Sequence, residues 1–351
     1  RHIEELSMDL VLDSFEIAPG VKRLLLRNSP FRKCDAGKSW DKRGLWPAWW
    51  ISGSPERNEL SAAYRNAFNV EAETSVRLHI SADAKYRLYL DGKFIAYGSE
   101  AGDLDNYYFD TYELNFSKGR HVLVAVVMSF GDLAPVALVS GQHGLIVAAE
   151  GMLEQTLSTG VGAWECLPLP GLSLEKSPYW IFGYMGGATH FDRRQFPQGS
   201  EAGADSLSWT LPEKLGHGAN AGLCNEQRWL HLLKPSKLPP MLRNSIGAKN
   251  ALQSADDKGK RWLPSAGAQS ELGKWQNFLN EGQPLSIPPH SFRRVLISLD
   301  NYYCAFPEMM VSGGRDAKIE LSWAEALFVE DKQDGEKGDR GIWQGKHFIG
   351  L

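Results

Sequence analysis

Cysteine is scarce in this chain, with four in 351 residues: Cys34, Cys166, Cys224 and Cys304, no two of them close together. That scatter excludes a dense disulfide framework and the paired spacing of a zinc knuckle; it is the pattern of buried free thiols. It leaves the compartment open. Long hydrophobic runs are missing too: the longest, Val122 to Met128, falls far short of the roughly 18 residues that span a bilayer. No signal-peptide apolar region follows Arg1–His2, as in a secreted chain that has already lost its leader. Charge of one sign is also lacking. With 38 basic against 42 acidic side chains, the net −4 gives no overall pull toward nucleic acid or an anionic membrane. No internal repeat is visible.

The familiar catalytic motifs are absent as well. Gly37-Lys38-Ser39 resembles the end of a phosphate-binding loop, but the glycine needed five residues earlier is Arg32. There is no GxSxG elbow, HExxH or GxGxxG, and no two of the nine histidines stand at i, i+2 or i, i+4. Glu320 and Glu325 flank Trp323, yet a strand turns residues five apart to opposite faces. Glu308 with Glu325 is the one competing carboxyl pair; Asp334, Glu336 and Asp339 sit in turns where solvent keeps them ionised. These 351 residues are therefore expected to be non-catalytic by themselves.

What is present is strand periodicity. Val76, Leu78 and Ile80 alternate with polar residues, and so do Tyr86, Leu88 and Leu90. Asp91–Gly92 then separates this run from Phe94-Ile95-Ala96-Tyr97, a strong hairpin signal. His121–Phe130 and Gly144–Ala149 are almost wholly apolar, as in strands buried on both faces. Helical signal is thin. Glu213–Leu233 has room for a turn or two, interrupted by Gly216, Gly218 and Gly222. From Gly151 to about Ala266, prolines and glycines mark a segment expected to wrap over a sandwich and finish it. Alternation returns at Arg293–Tyr303 and at Ala317–Trp323.

The expectation is an all-β protein of two β-sandwich domains. Residues 1–45 are unassigned, 46–250 form the first sandwich, and 251–351 form a second that runs out at Leu351. The chain is thus expected to be part of a longer one.

Thirty-eight aromatic residues, 12 of them Trp, serve either as core or as stacking surfaces for sugars. Trp49 and Trp50, in a cluster with Trp46, are the first candidates for carbohydrate binding; Tyr107 and Tyr108 are the second. Beside these tyrosines, Asp103 and Asp105 belong to an oxygen-rich run, Asp103-Leu104-Asp105-Asn106, able to hold a hard cation such as Ca²⁺. It is not an EF-hand, since position six is Tyr108 and position twelve Leu114. The bland readings are core packing for the aromatics and a solvated loop for the acids. No cofactor is required.

Several segments, in order, resemble the N-terminal β-region of bacterial α-L-rhamnosidases. Tyr64-Arg65-Asn66-Ala67-Phe68-Asn69-Val70 is similar to an "FRK-F-aliphatic" strand, and Tyr89-Leu90-Asp91-Gly92-Lys93 to an "LYLNGKRV" hairpin. Tyr112-Glu113-Leu114 resembles "YDV", His190–Arg194 "YDAR", Asp205–Trp209 "DDSSW", and Leu238–Met241 "IPPME". Gly313–Leu327 is similar to the "GAKITLRYAEAL" strand of the next β-domain. The resemblance implies jelly-roll or galactose-binding-like sandwiches that accompany a catalytic (α/α)₆ barrel releasing terminal rhamnose with inversion. The barrel's "CPxRxE" signature does not occur here: Leu167 follows Cys166 and Asn225 follows Cys224. It further implies a rhamnose-containing oligo- or polysaccharide as partner and a periplasmic or extracellular setting, with the cytoplasm still open. The alternative is a free-standing carbohydrate-binding or adhesion module; a third class is a purely structural sandwich.

Overall fold

Strands dominate the computed structural model. It describes residues 11–33, 43–54, 59–100, 102–176, 186–220, 228–247, 250–256, 266–301, 303, 305–321, 328–329 and 348–349. The first unit runs from Arg1 to Met241. Its strands begin with β1 (Val11–Ala18), β2 (Val21–Leu26), β3 (Leu45–Ser52), β4 (Glu59–Val70) and β5 (Thr74–Asp83). There follow β6 (Lys85–Leu90), β7 (Lys93–Gly98), β8 (Tyr107–Phe116), β9 (Gly119–Phe130) and β10 (Gly144–Ala149). The unit is completed by β11 (Trp164–Pro168), β12 (Leu172–Glu175), β13 (Ala188–Phe191), β14 (Glu213–Asn220) and β15 (Arg228–Pro235). The hairpin β6–β7 turns at Asp91–Gly92, both residues at positive φ (50° and 75°), as the Asp-Gly signal predicts.

Two sheets share one core. A five-stranded sheet has the order β11-β4-β9-β6-β7. The other sheet curls back on itself: β5, β10, β3, β14, β15 and β8 pair in turn, and β8 returns to β5. Six strands therefore close a ring, with the β1–β2 hairpin attached to β8 through pairs such as Val21↔Leu114. Residues 11–26, unplaced by sequence, belong to this sheet.

Closure explains the doubly apolar strands. In β10, Leu145, Val147 and Ala149 enter a core cluster with residues of the five-stranded sheet, whereas Ile146 and Ala148 enter a second cluster with Trp46, Trp50, Tyr107, Phe109 and Leu233. In β9, Leu123, Ala125 and Val127 face the first core. Val122, Val124 and Val126 face a third cluster, covered by Phe196, Leu207 and Trp209 of the segment after β13. The proline- and glycine-rich segment thus does wrap over a sheet.

Glu213–Leu233, with room for a turn or two of helix, carries none among its described residues: β14 and β15 lie there instead. Gly218 supplies the reason. A Cβ at Gly218 would fall 2.4 Å from Ile146 Cδ1 and 3.1 Å from Trp46, so the glycine lets β14 approach the ring interior.

The second unit runs from Leu242 to Leu351. There β16 (Asn250–Ala255) pairs antiparallel with β17 (Arg294–Ser298), and a helix spans Leu272–Glu281. Gln276 on that helix accepts the Ala251 N–H at 3.0 Å, and Arg293 forks onto Glu271 at 2.6 and 2.8 Å. Phe328–Val329 and Phe348–Ile349 make a further short pairing. The sandwich expected for 251–351 is not built among the described residues. The expected strand at Ala317–Trp323 carries no ladder over 317–321, where Ile319 and Leu321 are 56% and 55% exposed. A strand's apolar face is stable only against an opposing layer, and β16–β17 supplies just two strands.

Candidate functional site

The aromatic candidates separate by burial. Trp50 and Tyr107 are 0% and 1% exposed, inside the strand ring, where both rings pack on His231 at 4.8 and 4.2 Å between centroids. A ring with no open face offers a sugar nothing to stack on, so both belong to the core. Trp49 is partly exposed, but His217 lies 3.9 Å from its ring and Gly160 packs on its indole. Tyr108 lines a cleft.

A dyad and a trio of catalytic residue types are buried in the first unit, and neither can reach a substrate. His231 Nε2 sits 2.9 Å from Asp83, whose carboxylate also accepts bonds from Ser140 Oγ and the N–H groups of Gly141 and Gln142. His143 bridges Tyr64 Oη and Ser129 Oγ, each at 2.7 Å. All five side chains, Asp83, His231, His143, Ser129 and Tyr64, are at most 1% exposed. Burial lowers the His143 pKa to about 4 and pushes the Tyr64 phenol up. Apart from His231 Nδ1, which has no partner among the described residues, these groups bond one another and nearby backbone as buried networks.

The acidic run is a turn that props a wall. Asp103 Oδ1 accepts the N–H groups of Asp105 and Asn106 at 2.9 and 2.8 Å, and the Asn106 amide at 3.0 Å. The Asn106 side chain, with those backbone donors, holds the Asp103 carboxyl below the usual range. Asn106 Oδ1 in turn accepts from Lys234 Nζ at 3.1 Å, and the same Nζ lies 4.7 Å from the Tyr108 ring centroid. Tyr108 and Lys234 are register partners across β8 and β15. Among the described residues no group of three or more His, Cys, Asp or Glu side chains could hold a metal ion. Among the described residues no third such side chain joins the Asp103–Asp105 pair expected for Ca²⁺.

Beside Tyr108 lies a cleft of about 330 Å³, bounded by the ends of β2, β14 and β15 and the start of β8. Arg27, Glu100, Asn220, Lys234 and Lys237 bring polar groups to it, with Pro235 and Leu238 as apolar wall. Asn220 is 6% exposed. Its Oδ1 accepts the Trp46 indole N–H at 3.0 Å, which fixes the amide, and its Nδ2 has no hydrogen-bond partner. Glu100 Oε2 is likewise buried and unpartnered. Buried polar atoms are normally satisfied, and here an unpartnered donor and an unpartnered acceptor belong to two residues that line one cleft, which fits a hydroxyl-bearing ligand. The Asp91–Gly92 hairpin packs on 200–202, with Tyr89 Oη donating to Glu201 at 2.7 Å and a Cβ at Gly92 falling 3.3 Å from Ala202 Cβ.

No family model matches the sequence, and no curated protein matches it. Among solved structures, the chain is similar to the GH78 family rhamnosidase of Bacillus sp. GL1, with a TM-score of 0.50 and 22% identity over 60% of this chain and 22% of that one. The likeness is one of fold. The α-L-rhamnosidase of Dictyoglumus thermophilum follows at a TM-score of 0.41 and 16% identity, over 62% of this chain and 25% of that one. The Pleurotus ostreatus lectin has a TM-score of 0.30 and 16% identity, over 51% of this chain and 44% of that one. The chain thus spans only about a quarter or less of the rhamnosidases it resembles.

Sequence reading singled out Tyr108 but not Glu100, Asn220, Arg27, Lys234 or Lys237. No local motif could have flagged them, because they come from four separate chain segments. Cys166 is buried, with its thiol pushed up by burial, as read; Cys34, Cys224 and Cys304 lie outside the described residues. Glu308 is exposed, and its suggested partner Glu325 also lies outside them.

Proposed function

We propose that the chain is the N-terminal β-region of an α-L-rhamnosidase-like glycoside hydrolase, and that the cleft at Tyr108 binds a sugar of the substrate. The observation that carries this reading is the fold likeness to the Bacillus sp. GL1 rhamnosidase. The ordered rhamnosidase-like segments from Tyr64 to Trp209 support it. On this reading the first unit is a galactose-binding-like domain, and the carboxyls that invert the anomeric centre belong to a helical barrel outside these 351 residues. The chain's own work is then to support that barrel and to hold saccharide. The cleft favours a binding role over a purely structural one, since two unsatisfied polar atoms cost stability unless something occupies them.

The test has two parts. The 351 residues alone should leave an aryl α-L-rhamnoside intact while binding L-rhamnose in a calorimetric titration. Tyr108→Ala should weaken that binding at least tenfold. Turnover by the chain itself would overturn the accessory assignment, and undiminished binding by Tyr108→Ala would overturn the site.

A further inference from the structure

We propose that the cleft prefers an acidic sugar, a uronic acid residue of a polysaccharide, over a neutral one such as L-rhamnose. This rests on the carbohydrate reading above and narrows its ligand class. Three basic side chains, Arg27, Lys234 and Lys237, line the cleft against one carboxylate, Glu100. Their balance favours an anion, and the partly enclosed setting screens that attraction less than open solvent would.

The unpartnered atoms refine the choice. Asn220 Nδ2 calls for an acceptor and Glu100 Oε2 for a donor. A simple inorganic anion such as sulfate would meet the amide and the cations but has no proton for Glu100. A neutral sugar would meet the amide and Glu100 but leave the excess of positive charge lining the cleft unanswered. A uronic acid residue answers all three, with its carboxylate toward the lysines and a ring hydroxyl donated to Glu100. Tyr108 contributes ring surface, and about 330 Å³ lies at the small end of ligand clefts, suited to one or two sugar rings. Lys234 is held for this role, since Asn106 and the Tyr108 ring fix its ammonium while leaving N–H donors to spare.

Calorimetric titration with methyl α-D-glucuronide, methyl α-D-glucoside and L-rhamnose tests the inference. The first two differ only in carboxylate against hydroxymethyl. The glucuronide should bind at least tenfold more tightly than the glucoside, and 0.5 M NaCl should erode that advantage. Lys237→Glu should cancel it, as should Asn220→Asp, which keeps the acceptor for Trp46 but replaces the amide donor. If Asn220→Asp proves unfolded by circular dichroism, the exposed Lys237→Glu carries the test. Equal binding of glucuronide and glucoside, or a preference that survives both substitutions, overturns the acidic-sugar assignment. Rhamnose binding without glucuronide binding overturns it while leaving the proposed function standing. Failure of all three sugars to bind removes both.

Discussion

Arg65 lies against the indole of Trp209, with its guanidinium carbon 4.6 Å from the ring centroid. The same group donates to Glu165 at 2.8 Å, to the Gly203 carbonyl at 2.8 Å and to Asp205 at 2.9 Å, and Asp205 also takes Arg120. Two segments with rhamnosidase-like sequence, far apart in the chain, are thus fastened to each other. They clasp the 200–209 segment over the outer face of the five-stranded sheet.

Arg65→Ala should therefore destabilise the first unit by about 2 kcal/mol, since charge-assisted bonds, a cation–π contact and a covering segment are lost together. Arg65→Lys should recover less than half of this, because one ammonium cannot fork to three acceptors and stack as well. Urea denaturation at unchanged m value measures both.

Gly218→Ala should cost about 1–3 kcal/mol by driving a methyl into the Ile146 side chain. Ile146→Val removes the atom it strikes, so the double variant should be more stable than the summed single changes allow. Strict additivity in a double-mutant cycle would contradict close packing at this strand crossing.

Acid should weaken the fold through His143. Its folded pKa, about 4, is below the unfolded value near 6.5 because burial disfavours the charged ring. The unfolded chain then binds the proton first, so stability is intact above about pH 6.5 and falls as pH drops toward 4, by about 3 kcal/mol for this group. Below pH 4 its contribution to the slope ends. His143→Gln should flatten that share of the pH profile in urea titrations between pH 7 and 4.

Trp50 and Tyr108 should respond oppositely. Trp50→Ala empties a fully buried site and should cost about 3–5 kcal/mol. Tyr108→Ala gives up chiefly the contact with Lys234, worth about 1 kcal/mol, and should keep its melting temperature within a few degrees while losing ligand. A large fall in melting temperature for Tyr108→Ala would place that ring in the core instead.

By itself the sequence determined the strand class, the Asp91–Gly92 hairpin and the two-faced burial of β9 and β10. Each is encoded locally, in a period of two, in a turn that needs positive φ, or in an unbroken apolar run. It also singled out Tyr108, which lines the proposed cleft beside the Asp103 turn. Tertiary structure decided what local pattern cannot express. Trp50 and Tyr107 look as available as Trp49 and Tyr108 until the ring closes, because side chains alternate faces along a strand and only closure makes one face an interior. Gly216 and Gly218 read as helix breakers, whereas Gly218 is in fact the space into which Ile146 and Trp46 pack. Glu100 and Asn220 carry no motif, and their open hydrogen-bonding atoms exist only because the strand ends meet there. Burial and hydrogen-bond satisfaction are properties of packing, and packing between distant segments is set by the whole fold.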